Sequence, residues 1–176
     1  PKINSHDFDQ YVNASLLDAK YFGFQDKGSC RIKQVTLTGR PRMLIRWGTK
    51  AENATVTLHQ DRLDGPVLAT IPTPKPGKDT VQMISLPAVQ GRHNLYLSLN
   101  STKKPKEWVQ IKWVAFAPIL PGQPQNTLGE QDKLLTDLLN ADAEQTPILL
   151  DGSGDLFRET HVFERGNWLV KGKLVK

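Results

Sequence analysis

TVTLHQDRLDGPVLATI, residues 55–71, decides how this chain folds. Val56 and Leu58 alternate with polar residues, Asp64-Gly65-Pro66 interrupts the run, and apolar residues resume from Val67 to Ile71. Period-two alternation gives a strand one face in a core and one in water, and Asp-Gly is turn chemistry. The stretch therefore reads as strand, turn, strand.

The same pattern repeats on both sides. RIKQVTL, RMLIRWG, ATVTLHQ, VLATIPT, VQMISLP, HNLYLSL and VQIKWVAF are short apolar-alternating runs, each followed by a breaker such as TGRP, RLDGP, PKPGKD or APILPG. Regular spacing with no helical period between the runs indicates an antiparallel all-β sandwich or barrel over residues 1–119. The first thirty residues are expected to add one strand and an irregular cover. After a linker at 120–127 the period changes. Thr127 and Glu130 have the form of a capping box, and Leu128, Leu134, Leu135, Leu138 and Leu139 give an apolar helical stripe to about Asn140. TPILL, the turn DGSGD and RETHVFERGNWLVKGKLV read as two or three further strands, so residues 128–176 are expected to open a following domain.

Composition bounds the function. In 176 residues, 38% are hydrophobic and 23% charged, which gives room for one sizeable core in a soluble globular protein. No apolar run is long enough to cross a bilayer, so no membrane insertion is expected. The chain begins at Pro1 and stops within the strand-like GKLVK, so a piece of a longer protein is expected. A net charge of +5 raises the question of nucleic acid. The densest basic cluster, STKKPKEW at 101–108, is a short loop between strands without a recognition-helix pattern, and no nucleic-acid partner is expected.

Nothing in the sequence assembles a catalytic centre or a cofactor site. His6, His59, His93 and His161 share no metal-ligand spacing with one another or with Cys30, the single cysteine, which also excludes an internal disulfide. Cys30 is expected to be buried and inert, and His161 structural. DGSGD lacks the length and terminal Glu of a calcium loop. The sequons at Asn13, Asn53 and Asn100 mark surface turns.

In order, GFQDKGSCRIKQVTL, DGPVLATIPTP, LPAVQGRHNLYLSL and VQIKWVAF resemble family 6 carbohydrate-binding modules over residues 3–118. The resemblance implies a lectin-like jelly-roll β-sandwich that binds a polysaccharide or oligosaccharide without cleaving it. Such modules stack a sugar ring on aromatic side chains and bond its hydroxyls with amides and carboxylates. Carried over, the first platform falls on Phe24, the second on Lys78 where a Trp is usual, and the polar residue of the closing strand on Gln110. Lys112 replaces the following Asp, and Asn4 and His6 replace a Glu-x-Glu, so the family's structural calcium is not expected. Alternation places Ile111 and Trp113 inward, and Trp108, Gln110 and Lys112 outward. Trp108 would then stand in for the missing platform, and Lys78 with Lys112 would favour an anionic glycan. The alternative is a sandwich without a ligand, serving as an interdomain spacer or protein–protein contact.

RETHVFERGNWLVKGKLV also resembles the start of an uncharacterised C-terminal domain of large exported bacterial proteins that often carry a c-type haem domain elsewhere. That resemblance implies an exported parent chain, whose other domains would be partners of the sandwich.

Overall fold

The computed structural model describes residues 2–17, 21–49, 54–101, 109–141, 161–163 and 171–174. They fall into two units, Pro1–Ala141 and Asp142–Lys176. In the second unit, β10 (His161–Phe163) pairs antiparallel with β11 (Lys171–Leu174).

The first unit carries β1 (Lys2–Asn4), β2 (Asp9–Leu17), β3 (Tyr21–Thr36), β4 (Arg42–Thr49), β5 (Ala54–Gln60), β6 (Val67–Pro72), β7 (Thr80–Ser85), β8 (Arg92–Ser101), β9 (Val109–Ala117) and α1 (Glu130–Asn140). Its strands connect in the order β6-β5-β8-β3-β9-β4-β7, with β1 beside β9 and β2 beside β3. Among the described residues this unit is an all-β sandwich with one α-helix.

The long strand β3 is the seam between the layers. Phe22–Phe24 pair with Ile111–Val109 of β9, whereas Ser29–Thr36 pair with β8. Between them Lys27 takes φ 57°, and a Cβ at Gly28 would come within 2.7 Å of the Asn13 and Gln25 carbonyl oxygens. One layer is β6-β5-β8 with the second half of β3; the other is β7-β4-β9 with the first half.

Alternation buries Val56 and Leu58 of β5, Leu95, Leu97 and Leu99 of β8, and Met43, Ile45 and Trp47 of β4 in one core. The fully buried Trp47 donates its indole N–H to Gln82 Oε1 at 2.6 Å, which satisfies the polar handle of a large buried ring. In the 61–66 turn a Cβ at Gly65 would run into the Gln60 carbonyl oxygen, so only glycine fits there.

The expectations for the first thirty residues and for the closing strand need correction. The N-terminal thirty residues form two strands and the first part of a third, not one strand with an irregular cover. Strand β9 does not keep its phase: Arg46 pairs with Trp113 but Trp47 with Ile111, leaving Lys112 as an extra residue in a β-bulge. Ile111, Val114 and Phe116 point into the core, while Trp113 turns outward.

The compact unit also continues past residue 119, where the sequence reading ends the sandwich. Leu128 and Leu135 pack on the outer face of β4-β9-β7, over Leu44, Val81, Met83 and Trp113. The helix starts at Glu130, with Gly129 rather than Thr127 at its N-cap; the Gly129 N–H donates to Asp132 Oδ2 at 3.1 Å. Its far end is fastened by Asn140, whose amide bonds both the N–H and the C=O of Val81, at 2.7 and 2.8 Å.

Candidate functional site

Gln110 sits midway across the β3-β9-β4 sheet, opposite Gly23 on one side and Gly48 on the other. Neither neighbour has a side chain, so the floor beside its amide is strand backbone. Val109 and Ile111 point into the core, so Gln110 points out, half-buried.

Lys112, the bulge residue, leans over this floor. Its ammonium forms an ion pair with Asp79 Oδ2 and lies 4.9 Å from the centre of the Tyr21 ring. The Asp79 hydrogen bond is the main reason its pKa rises above 10.5, so Lys112 is charged throughout the physiological range. Asp79 reaches it across Gly48, where a Cβ would lie 2.5 Å from Asp79 Oδ1. The loop before β7 is held by the Gly77 N–H donating to the Thr49 carbonyl at 3.3 Å and by Thr80 Oγ1 donating to the Lys78 carbonyl at 3.1 Å. Chain continuity thus puts the exposed Lys78 next to Asp79, on the rim.

The residues singled out from sequence do not all meet. Gln110 and Lys112 share the floor, and Lys78 borders it. Phe24 does not: its ring is fully buried, edge-on to Phe22 with centroids 5.1 Å apart. Its partner in β9 is Val109, whose side chain also points inward. A ring closed in on both faces cannot stack on a sugar, so Phe24 is a core residue. Trp108 lies outside the described residues. Tyr21 and Asp79 were not anticipated; Asp79 follows Lys78 in a loop, and nothing local shows that it crosses Gly48.

The opposite layer carries a second polar surface that the strand pattern does disclose. Thr55, Thr57 and His59 alternate with the inward residues of β5, and Tyr96, Ser98 and Asn100 with those of β8. His59 Nδ1 faces the Gly65 carbonyl at 3.1 Å, which assigns the proton there and leaves Nε2 to accept from Ser98 Oγ at 3.3 Å. Asn100 donates to Thr57 Oγ1 at 3.1 Å, and Tyr96 to Gln10 Oε1 at 3.2 Å. Beside them Arg31 grips Asp9 with two bonds of 2.9 and 2.8 Å, and with Lys33 it holds that carboxyl down to about 2. These side chains satisfy one another, and among the described residues no carboxylate completes the Ser98–His59 pair as a nucleophile with its base.

Cys30 is fully buried, and burial pushes its thiol well above the ordinary range, the state of an inert core cysteine. Among the described residues no group of three His, Cys, Asp or Glu is placed to hold a metal ion, and no helix is long and apolar enough to cross a membrane.

No family model and no curated protein matches the chain by sequence. By structure it is similar to a family 6 carbohydrate-binding module from Clostridium cellulolyticum in complex with xylose, at TM-score 0.58 and 15% identity, covering 66% of this chain and 96% of that one. A module from Clostridium stercorarium in complex with cellobiose gives 0.54 and 19%, covering 68% and 94%. A β-1,3-glucan-binding module of the same family from Bacillus halodurans gives 0.57 and 13%, covering 66% and 95%. At such identities the likeness establishes the fold alone.

Proposed function

We propose that the sandwich is a non-catalytic carbohydrate-binding module that tethers a larger exported protein to a polysaccharide. The observation that carries this is the Gln110 floor: an amide between two glycines, with the Lys112–Asp79 pair and the Tyr21 ring at its side. An amide, an ammonium and a carboxylate within one shallow surface supply donors and acceptors for adjacent sugar hydroxyls, and a partly exposed ring supplies apolar area. The named ligands of the structural neighbours are sugars of this neutral kind.

The charge of the ligand turns on Asp79. Lys112 is balanced by that carboxylate, so a neutral glycan fits the pair as it stands, while an anionic one must displace Asp79 and rely on Lys78 and Lys112 together. The test is isothermal titration of the chain with xylotriose, cellotriose and oligogalacturonate, repeated with Gln110→Ala and Asp79→Asn. The module reading requires saturable binding lost in Gln110→Ala. Preference for an anionic glycan requires Asp79→Asn to strengthen oligogalacturonate binding. No binding to any of the three, or binding indifferent to Gln110, defeats the reading.

The second reading is a sandwich without a ligand, acting as an interdomain spacer or protein-contact module. What favours it is the burial of Phe24, which removes one stacking platform, together with the helix laid over the outer face of β4-β9-β7.

A further inference from the structure

Three connections close the end of the sandwich away from the Gln110 floor: residues 37–41 before β4, 86–91 between β7 and β8, and 118–125 after β9. Together they contain no Asp or Glu, and Arg40 is their one charged residue. In a chain that is 23% charged, this places a single uncompensated cation in an apolar setting. The three connections meet around a cavity of about 340 Å³, within the range of about 300–1,000 Å³ usual for ligand pockets. Leu37, Pro41, Val89, Pro118 and Ile119 make its lining mainly apolar, and Arg40 stands among them.

The walls are tied to one another. The Arg40 N–H donates to the Leu37 carbonyl at 2.9 Å, closing a turn in which Gly39 takes φ 69°, the left-handed conformation that favours glycine. The Leu37 N–H donates to the Gly91 carbonyl at 3.0 Å and the Gly91 N–H to Thr38 Oγ1 at 2.7 Å, while the Leu86 N–H donates to the Pro41 carbonyl at 2.8 Å. These bonds join the first connection to the second. The third is held by the Gln125 carbonyl, which accepts from Arg42 Nη1 at 3.0 Å. Pro41, Pro87, Pro118, Pro121 and Pro124 restrict the same backbone. The cavity is therefore formed before any ligand arrives, with these main-chain groups already engaged.

The guanidinium differs. Arg31, Arg42 and Arg62 each face an aspartate, whereas among the described residues none forms a hydrogen bond or an ion pair with the Arg40 side chain. We infer that this cavity binds a small amphipathic monocarboxylate, its acyl or aryl body against Leu37, Val89 and Ile119 and its carboxylate on Arg40. The apolar lining rewards burial of a hydrocarbon body, and the planar fork of a guanidinium matches a carboxylate with two parallel bonds. A cation of the same shape meets no acid here, and a sugar rich in hydroxyls meets walls whose main-chain partners are taken. The site lies at the opposite ends of β4 and β9 from the Gln110 floor and does not depend on it.

The test is titration of the whole 176-residue chain with octanoate, octylammonium and xylotriose, followed in amide proton–nitrogen correlation spectra. Octanoate is expected to move the amides of Leu37, Gly39, Arg40 and Val89, to saturate at a concentration on the order of a millimolar, and to leave Gly48 and Gln110 unmoved. Octylammonium should move none of them. Arg40→Gln removes a side chain that makes no internal bond, so it should fold as the wild type does and weaken octanoate about tenfold, the worth of a charge-assisted bond. Arg40→Lys, which keeps the charge but not the fork, should retain part of the affinity. No saturable shift, shifts away from the cavity, octylammonium binding as tightly as octanoate, or full octanoate affinity in Arg40→Gln overturns the proposal. So does xylotriose moving the same amides, which would make the cavity a sugar subsite. If Arg40→Gln fails to fold, the comparison of octanoate with octylammonium on the wild-type chain decides alone.

Discussion

Arg42 and Asp132 meet in the interior of the first unit, each side chain 1% exposed, with the guanidinium Nε and Nη2 both 3.2 Å from Oδ2. The fork also donates to Ser85 Oγ and to the carbonyls of Pro124, Gln125 and Thr127, so one side chain ties β4, β7, the 124–127 segment and α1 together. Truncating one partner of such a pair leaves the other charge buried, which costs about 3–5 kcal/mol. Arg42→Ala is expected to lose that much stability in equilibrium urea denaturation. Arg42→Lys should also be strongly destabilised, because a point charge cannot reproduce the fork. A loss under about 1 kcal/mol for either variant, the range of an exposed pair, would contradict this account of the helix attachment.

Phe24 separates a core role from a contact role. Its ring is closed in beside Phe22, so Phe24→Ala should cost about 3–5 kcal/mol, as deletion of a buried aromatic does. Sugar affinity per folded molecule should not change. Thermal denaturation and calorimetric titration of the same variant check both halves: weakened binding at unchanged stability would return Phe24 to the contact surface.

The stability of the loops around His93 should depend on pH in a predictable sense. Its Nδ1 faces Asp61 Oδ2 and its Nε2 the Gln90 carbonyl, each at 2.8 Å, so both ring nitrogens face acceptors. Gln60 Nε2, 3.1 Å from Nδ1, competes only with the neutral ring, and the shorter carboxylate contact favours the cation. The bond to Gln90 first, and then Asp61, raises the His93 pKa above 6.5, while His93 lowers that of Asp61 below 3.8. The raised histidine contributes fully below 6.5 and loses its contribution as pH climbs through the folded value. The lowered carboxyl contributes above 3.8 and loses its contribution as pH falls through its folded value. Urea denaturation at a series of pH values should therefore give a gap between wild type and His93→Gln that is widest between these limits and narrows on both sides. A gap constant from pH 3 to 9 would refute the assignment.

Where alternation and turn chemistry agreed, the strands could be read directly, as in ATVTLHQ, which coincides with β5, and the Asp64-Gly65 turn after it. Strand β2 was not legible because its pattern is broken locally: Gln10 and Asn13 take φ 45° and 46°, and its register against β3 slips twice. The bulge at Lys112 was hidden for another reason. A strand's own residues do not record where its neighbour drops one, so VQIKWVAF looked evenly alternating while Trp113 turned outward. The helix was visible from its leucines, but its start was not, because the Gly129 N–H is satisfied by Asp132 and the Gln131 N–H by Gln123 Oε1 at 3.2 Å, not by Thr127. At the candidate site Gln110 and Lys112 were legible as outward positions of the closing strand, whereas Asp79, Gly48 and Tyr21 depend on contacts between strands.

Gly48 is the position where fold and site depend most directly on each other. A Cβ there would lie 2.5 Å from Asp79 Oδ1, while β4 is locked between β9 and β7, so the carboxylate must move and not the backbone. Gly48→Ala should therefore separate Asp79 from Lys112. The Asp79 hydrogen bond is the largest cause of the raised Lys112 pKa, so the ammonium should titrate closer to 10.5 in the variant, visible in the NMR shift of its Cε protons. Overpacking of this size costs about 1–3 kcal/mol. If the ion pair forms part of a neutral-sugar site, xylotriose affinity should fall in Gly48→Ala and in Asp79→Asn alike, and Lys112→Met should reproduce the loss. A normal Lys112 titration in Gly48→Ala would mean that Asp79 reaches the ammonium by another route and that the glycine is not required for the pair.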